Sequence, residues 1–188
     1  MERYIDAGSL DQRLELLELK ETAENTWEWV SAGRLWAAVT LDGGRNLFST
    51  VGIGARNAKL VLRRRPLTLH QALRWKGQHL YLTSVTQRDR THLDVQAALV
   101  TVDTVTLRAD GTATGMTFPG VLTEKYARHG QEWPMSVNEL GLVLVTPKAV
   151  KLRPGCLVEV RRSAWEVLVP HELDEFKNEY EIGKRADL

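Results

Sequence analysis

Thr91-His92-Leu93-Asp94-Val95-Gln96-Ala97-Ala98-Leu99 is the stretch on which the fold turns. Leu93, Val95, Ala97 and Leu99 fall on one side of an extended chain and His92, Asp94, Gln96 and Ala98 on the other. That is the period-two pattern of a half-buried strand. Upstream, Asp89-Arg90 reads as the turn of a hairpin whose first arm is Leu80 to Gln87, with Gly77 punctuating its start. Leu60 to Arg65 and Leu35 to Leu41 are further strands, rich in Val, Leu and Trp. Downstream, Thr104 to Arg108, an Asp110-Gly111 turn and Thr112 to Phe118 form another hairpin. Leu140 to Pro147 is a buried strand with a stop, and Leu157 to Arg161 and Ala164 to Val169 flank Arg162-Ser163 as a tight hairpin. Phe176, Asn178, Tyr180 and Ile182 alternate with Lys177, Glu179 and Glu181 in a last strand. Short strands at this spacing predict an all-β chain, built as a sandwich or barrel.

The chain of 188 residues is long enough for one large or two small domains with real cores. Its 25 Lys and Arg against 24 Asp and Glu leave a formal charge of +1. A dedicated phosphate-gripping protein is usually much more basic, so the balance argues against a dedicated DNA binder and leaves room for a protein that surrounds DNA without holding it. The single Cys156 makes no internal disulfide and no zinc site, which fits a reducing compartment. Met1 to Asp6 lacks a signal pattern and no apolar run reaches the roughly 20 residues of a membrane span, so a soluble, unexported chain is expected.

Catalytic patterns are sparse. His70, His79, His92, His129 and His171 lack ligand spacing, and His171-Glu172-Leu173-Asp174-Glu175 has no second histidine. Ser163 lacks the glycines of a nucleophile elbow, and Gly52-Ile53-Gly54 lacks the rest of a phosphate loop. Cys156, at the start of a strand, is expected as a small core residue. No catalytic residue, metal or cofactor is expected, and the chain is read as a non-enzyme.

Ser9-Leu10-Asp11-Gln12 has capping-box form, and propensity alone makes Asp11 to Lys20 a helix. Between Gly8 and Leu99, however, the landmarks run Gly8-x-Leu10-x-x-Arg13, Trp29-Val30, Leu35-Trp36-Ala37-Ala38-Val39, a Gly-rich stretch, Leu60-Val61-Leu62-Arg63, Trp75-Lys76-Gly77 and Tyr81-Leu82. In this order they resemble the head-tail joining proteins of long-tailed bacteriophages, the head-closure or stopper family. The resemblance covers residues 1–102. It implies a small β-barrel with a long inserted loop at 42–58, and it makes Leu14 to Leu19 the first barrel strand rather than a helix. Residues 103–188 then form a second small β-domain with Ala127 to Asn138 as its longest loop.

The implied role is structural: a virion protein at the head-tail interface, assembled in the host cytoplasm, that closes the DNA-filled head and gives the tail its docking platform. The implied partners are copies of itself in a sixfold or twelvefold ring, sixfold favoured, a portal-bound adaptor, tail-terminator or tail-tube proteins, and the packaged double-stranded DNA. A tail-terminator ring and a nucleic-acid-binding barrel of the OB type are the alternatives. For the latter, Trp27, Trp29, Trp36, Trp75, Trp133 and Trp165 are scattered, with Trp36 and Trp75 expected in the core.

The segment from Asp42 to Ala58 carries four glycines in seventeen residues, long for a compact domain. In the family this place projects into the channel, so Gly43, Gly44, Arg45, Phe48, Val51, Gly52, Ile53, Gly54 and Arg56 are the candidate channel or gating residues. Candidate docking residues are Leu10, Arg13, Arg63, Arg65, Glu172, Asp174 and Glu175. In Arg63-Arg64-Arg65, strand alternation puts Arg63 and Arg65 on one face and Arg64 on the other, so they are not expected to form one patch; a solvated face or ion pairs between subunits with Glu172 to Glu181 is expected rather than base or phosphate recognition. A faint internal match sets Leu60 to Leu62, Pro66, Trp75-Lys76-Gly77 and Tyr81 against Leu142 to Leu144, Pro147, Arg153-Pro154-Gly155 and Trp165, which a duplicated barrel would explain.

Overall fold

The computed structural model describes residues 7–41, 56–109, 114–128 and 138–184. Among them the chain is nearly all strand, with one three-residue 3-10 turn at Ala7–Ser9. It divides into two compact units. The described residues of the first are 7–20, 29–41 and 56–101; those of the second are 21–28, 102–109, 114–128 and 138–184.

In the first unit, β1 (Gln12–Ala23), β2 (Thr26–Leu41), β3 (Arg56–Arg63), β4 (Ala72–Trp75), β5 (Gln78–Gln87) and β6 (His92–Val100) hydrogen-bond in the order β1-β4-β5-β6-β3-β2, and a β1–β2 pairing closes the ring. Residues 12–20 are thus strand, where propensity alone favours helix, and Leu14, Leu16 and Leu17 are buried there. The alternation read in β6 holds as far as Ala97: Leu93, Val95, Ala97 and Leu99 join Leu14, Leu35, Leu60, Leu62, Leu73 and Leu80 in one core, while Ala98, read on the other face, is buried as well. A two-residue turn at Lys76-Gly77, both at positive φ (+49° and +80°), joins β4 to β5, the geometry whose twist suits a hairpin. Thr83 is an extra residue in β5, bulged between the pairs Leu82–Ala97 and Ser84–Gln96.

In the second unit, β7 (Asp103–Leu107), β8 (Met116–Arg128), β9 (Asn138–Pro147), β10 (Leu157–Val160), β11 (Ser163–His171) and β12 (Lys177–Lys184) run in the order β7-β10-β11-β12-β9-β8, closed by β7–β8. Every strand takes the place of the one six earlier, so the second ring repeats the strand order of the first. The ladders give the equivalence residue by residue. Ala72–Tyr81 and Leu157–Glu166 are matching pairs, as are Leu80–Leu99 and Trp165–Lys184, an unbroken offset of 85 residues. The bulge recurs at that offset, on Leu168 between Val167 and Val169. So does the following turn: Asp89 Oδ1 accepts from the N–H groups of Thr91 and His92, and Asp174 Oδ1 from those of Phe176 and Lys177. This corrects the internal match read from residue types. Lys76-Gly77 is equivalent to Arg161-Arg162 (φ +51° and +63°), not to Gly155, and Trp165 to Leu80, not to Tyr81. An Arg161–Asp103 ion pair at 2.8 Å holds that glycine-free turn.

The second core gathers Val105, Leu107, Phe118, Leu144, Val150, Leu152, Val158, Val160, Val167, Tyr180 and Ile182, with Cys156 buried among them. The tip of the β1–β2 hairpin belongs to this unit: Thr26 pairs in parallel with Thr117, the Thr117 N–H donates to the Asn25 carbonyl at 2.8 Å, and Trp27 packs on the second core. The 42–58 loop is shorter than read, since Arg56, Asn57 and Ala58 are strand residues of β3, facing Leu99, Ala98 and Ala97. Likewise Ala127 and Arg128 end β8 and Asn138 begins β9.

Candidate functional site

Trp36 sits on β2 between Leu35 and Ala37. Alternation turns those two neighbours into the core, so the indole faces out, 57 % exposed. The expectation of a core tryptophan is therefore wrong, because position along the strand, not apolarity, decides the side. Beside Trp36 an open groove of about 570 Å³ runs in the first unit, floored by Leu10, Leu35 and Leu62 and rimmed by Arg63, Arg64 and Arg65. The reading that these arginines cannot share a patch also fails. β3 ends at Arg63, and beyond a strand's last residue the alternation lapses. A hydrogen bond from the Arg64 N–H to the Thr91 carbonyl then fixes the departing chain.

Around the groove, Arg65 donates from Nη1 to the Arg34 carbonyl at 3.4 Å, while its Nε is buried with no hydrogen-bond partner among the described residues. No carboxylate among the described residues pairs with Arg63, Arg64 or Arg65. An apolar floor with an exposed indole and a cationic rim is chemistry suited to an apolar side chain flanked by carboxylates; Trp and Arg are also the residues that dominate binding hot spots.

The other predicted docking residues scatter. Leu10 is 7 % exposed and acts as groove floor, and Arg13 is exposed on β1. Glu172, Asp174 and Glu175 lie together between β11 and β12, in the second unit. Of these, Glu172 Oε1 accepts from the Tyr180 hydroxyl at 3.2 Å, and the Glu172 and Asp174 carbonyls both accept from Lys148 Nζ, at 2.7 and 2.6 Å. Glu181 already pairs with His171 at 2.8 Å. This pinned loop presents Leu173, which is fully exposed and which the sequence reading did not single out. The candidate channel residues Gly43, Gly44, Arg45, Phe48, Val51, Gly52, Ile53 and Gly54 lie outside the described residues; Arg56 is exposed on β3.

Titratable groups elsewhere serve the fold. Burial, then the nearby Arg74, lowers the pKa of His79; burial raises that of Tyr81, beside Trp29 at 5.9 Å between ring centroids. Backbone N–H donors, Thr91 first, hold the Asp89 carboxyl well below the usual carboxylate range. Among the described residues no group of His, Cys, Asp and Glu is arranged to hold a metal ion, and no helix is long and apolar enough to cross a membrane. Comparison with protein-family models finds none that matches, and a search of curated proteins finds no match.

Proposed function

We propose that the chain is a structural protein of the head-tail connector of a long-tailed bacteriophage, forming a ring that closes the DNA-filled head and offers the tail a docking platform. One observation carries the reading: of the landmarks that resemble the head-tail joining family, Arg13, Trp29-Val30, Leu35 to Val39, Leu60 to Arg63, Trp75 and Tyr81-Leu82 fall on the strands of a single closed ring of six. Under this reading the segment between β2 and β3 lines or gates the DNA channel, and the +1 net charge suits a conduit through which DNA slides. The OB alternative loses ground, since that fold is a five-stranded barrel and each ring here has six strands. A tail-terminator ring remains the second reading within the same class.

The test is packaging in a host carrying the phage genome with this coding sequence deleted. Full heads should then lose DNA and fail to take tails, and adding the purified protein to such heads should restore both. Tails that join equally well without the protein would refute the assignment. Retained DNA with a defect confined to tails would favour the tail terminator.

A further inference from the structure

The repeated fold supplies an internal comparison. In the second unit, the positions equivalent to Leu35, Trp36 and Arg63 are Phe118, Pro119 and Pro147, by the ladders that join β2 to β3 and β8 to β9. Pro119 and Pro147 are buried there, and the neighbouring Lys148 is spent on the carbonyls of Glu172 and Asp174. The Trp-Arg groove is thus a feature of the first unit alone. The reverse holds for Leu173. Its equivalent in the first unit, at the offset of 85, is Arg88, which is ion-paired to Asp94 at 3.0 Å. One copy of the repeat has a cationic groove with an apolar floor; the other has an exposed leucine flanked by acids.

We propose that these two features recognise each other between copies of the chain: Leu173 of one copy enters the groove beside Trp36 of the next, with Glu172 and Glu175 facing Arg63, Arg64 and Arg65. The inference rests on the ring reading above, and it gives that ring its contact. The chemistry is complementary in both terms, a leucine for an indole and leucine floor, carboxylates for guanidinium groups. Both sides are prepared. Lys148, Tyr180 and the Asp174 turn hold the knob in shape before it binds, which lowers the entropy cost of docking. Because groove and knob are different surfaces, the contact is head-to-tail, the kind that generates rings when the rotation closes.

The experiment is cross-linking of full-length protein with a short bis-maleimide, using Arg63→Cys and Glu175→Cys, rim positions that leave Trp36 and Leu173 intact. Cys156 is buried, so the unsubstituted protein is the blank. A mixture of the two variants should give dimers, neither alone should give any, and the double variant should give a ladder of oligomers. Adding Leu173→Asp to the Glu175→Cys chain, or Trp36→Ala to the Arg63→Cys chain, should cut the yield at least tenfold. Both added changes fall on exposed side chains, so the fold survives them. Excess duplex DNA should leave the yield unchanged. The contact is refuted if either variant alone traps as well as the mixture, if Leu173→Asp has no effect, or if DNA abolishes the trap and so shows the groove to be a nucleic-acid site. Failure here with head closure intact removes the contact and spares the connector reading. Trapping without any effect on heads does the opposite.

Discussion

Replacing Tyr180 by phenylalanine removes one oxygen from the middle of the second unit, and the structure says which group then suffers. Tyr180 is fully buried on β12, and its hydroxyl accepts from the Leu152 N–H at 3.1 Å. The same hydroxyl lies 3.1 Å from the Val150 carbonyl and 3.2 Å from Glu172 Oε1, and its single proton serves one of them at a time. In the variant the ring still fills its place. The Val150 carbonyl keeps the Asn178 Nδ2 donor at 2.7 Å, and exposed Glu172 turns to water. The Leu152 N–H, in a residue only 3 % exposed, is left with nothing. An orphaned buried donor costs about 1–3 kcal/mol. For a unit of this size that is a fall in melting temperature of about 4–8 °C per kcal/mol. Calorimetry measures the loss, and amide exchange at Leu152 localises it. A variant that melts within a degree of the parent, with Leu152 exchanging no faster, would refute the reasoning. Alkaline pH gives a second check. Burial pushes the Tyr180 hydroxyl up to about 12, above its ordinary value of 10. Its contribution is whole below pH 10 and is lost as pH rises toward 12, where the unfolded chain ionises first. The phenylalanine variant should lose less stability over that interval than the parent does.

Other expectations follow from packing and charge. A Cβ added at Gly120 would lie 2.8 Å from Val105 Cγ2 and 2.9 Å from Leu144 Cδ1, so Gly120→Ala should lower the urea midpoint by the equivalent of about 1–3 kcal/mol. Leu35→Ala should cost about 2–5 kcal/mol, and Trp36→Ala at least about 1 kcal/mol less; the reverse order in denaturation would return the indole to the core. His79 is held neutral, with its pKa below the ordinary 6.5, so stability present above pH 6.5 is lost as pH falls through the lowered value. His79→Gln should flatten that acid limb in a stability-against-pH series, and an unchanged slope would count against it.

Strands were legible wherever burial follows period two between turn-forming residues, as in Leu93 to Leu99 and Asn178 to Ile182. The same rule would have placed Trp36 outside had its apolar bulk not been read as a reason for burial. Arg63 to Arg65 was misjudged because alternation was extended past the end of β3, three residues before Pro66. The repeat was visible only faintly, since turns were matched by glycine while the chain reproduces the turn's dihedral angles with Lys-Gly in one unit and Arg-Arg in the other. Bulges leave no mark in composition. Asn178 and Tyr180 stand where the first unit has Leu93 and Val95, and their polar atoms hold the loop carrying Val150 and Leu152, a task that only the tertiary fold reveals. Half of the candidate site, the exposed Leu173, was hidden in plain acidic company.

The hairpin tip at 21–28 has a consequence for how the molecule comes into being. Trp27 leaves the ribosome well before the backbone that pairs beside it, at Thr117, which follows some ninety residues later. At synthesis rates of about 5–20 residues per second, the tip waits roughly 5–20 s for its partner strand. During that interval an indole and an open strand edge stand ready for whatever meets them first, including the tip of a neighbouring nascent chain on the same message. Correct maturation is thus a race between elongation and encounter. Slow codons between 30 and 117 should raise the fraction of entangled, insoluble chains without altering a single native contact.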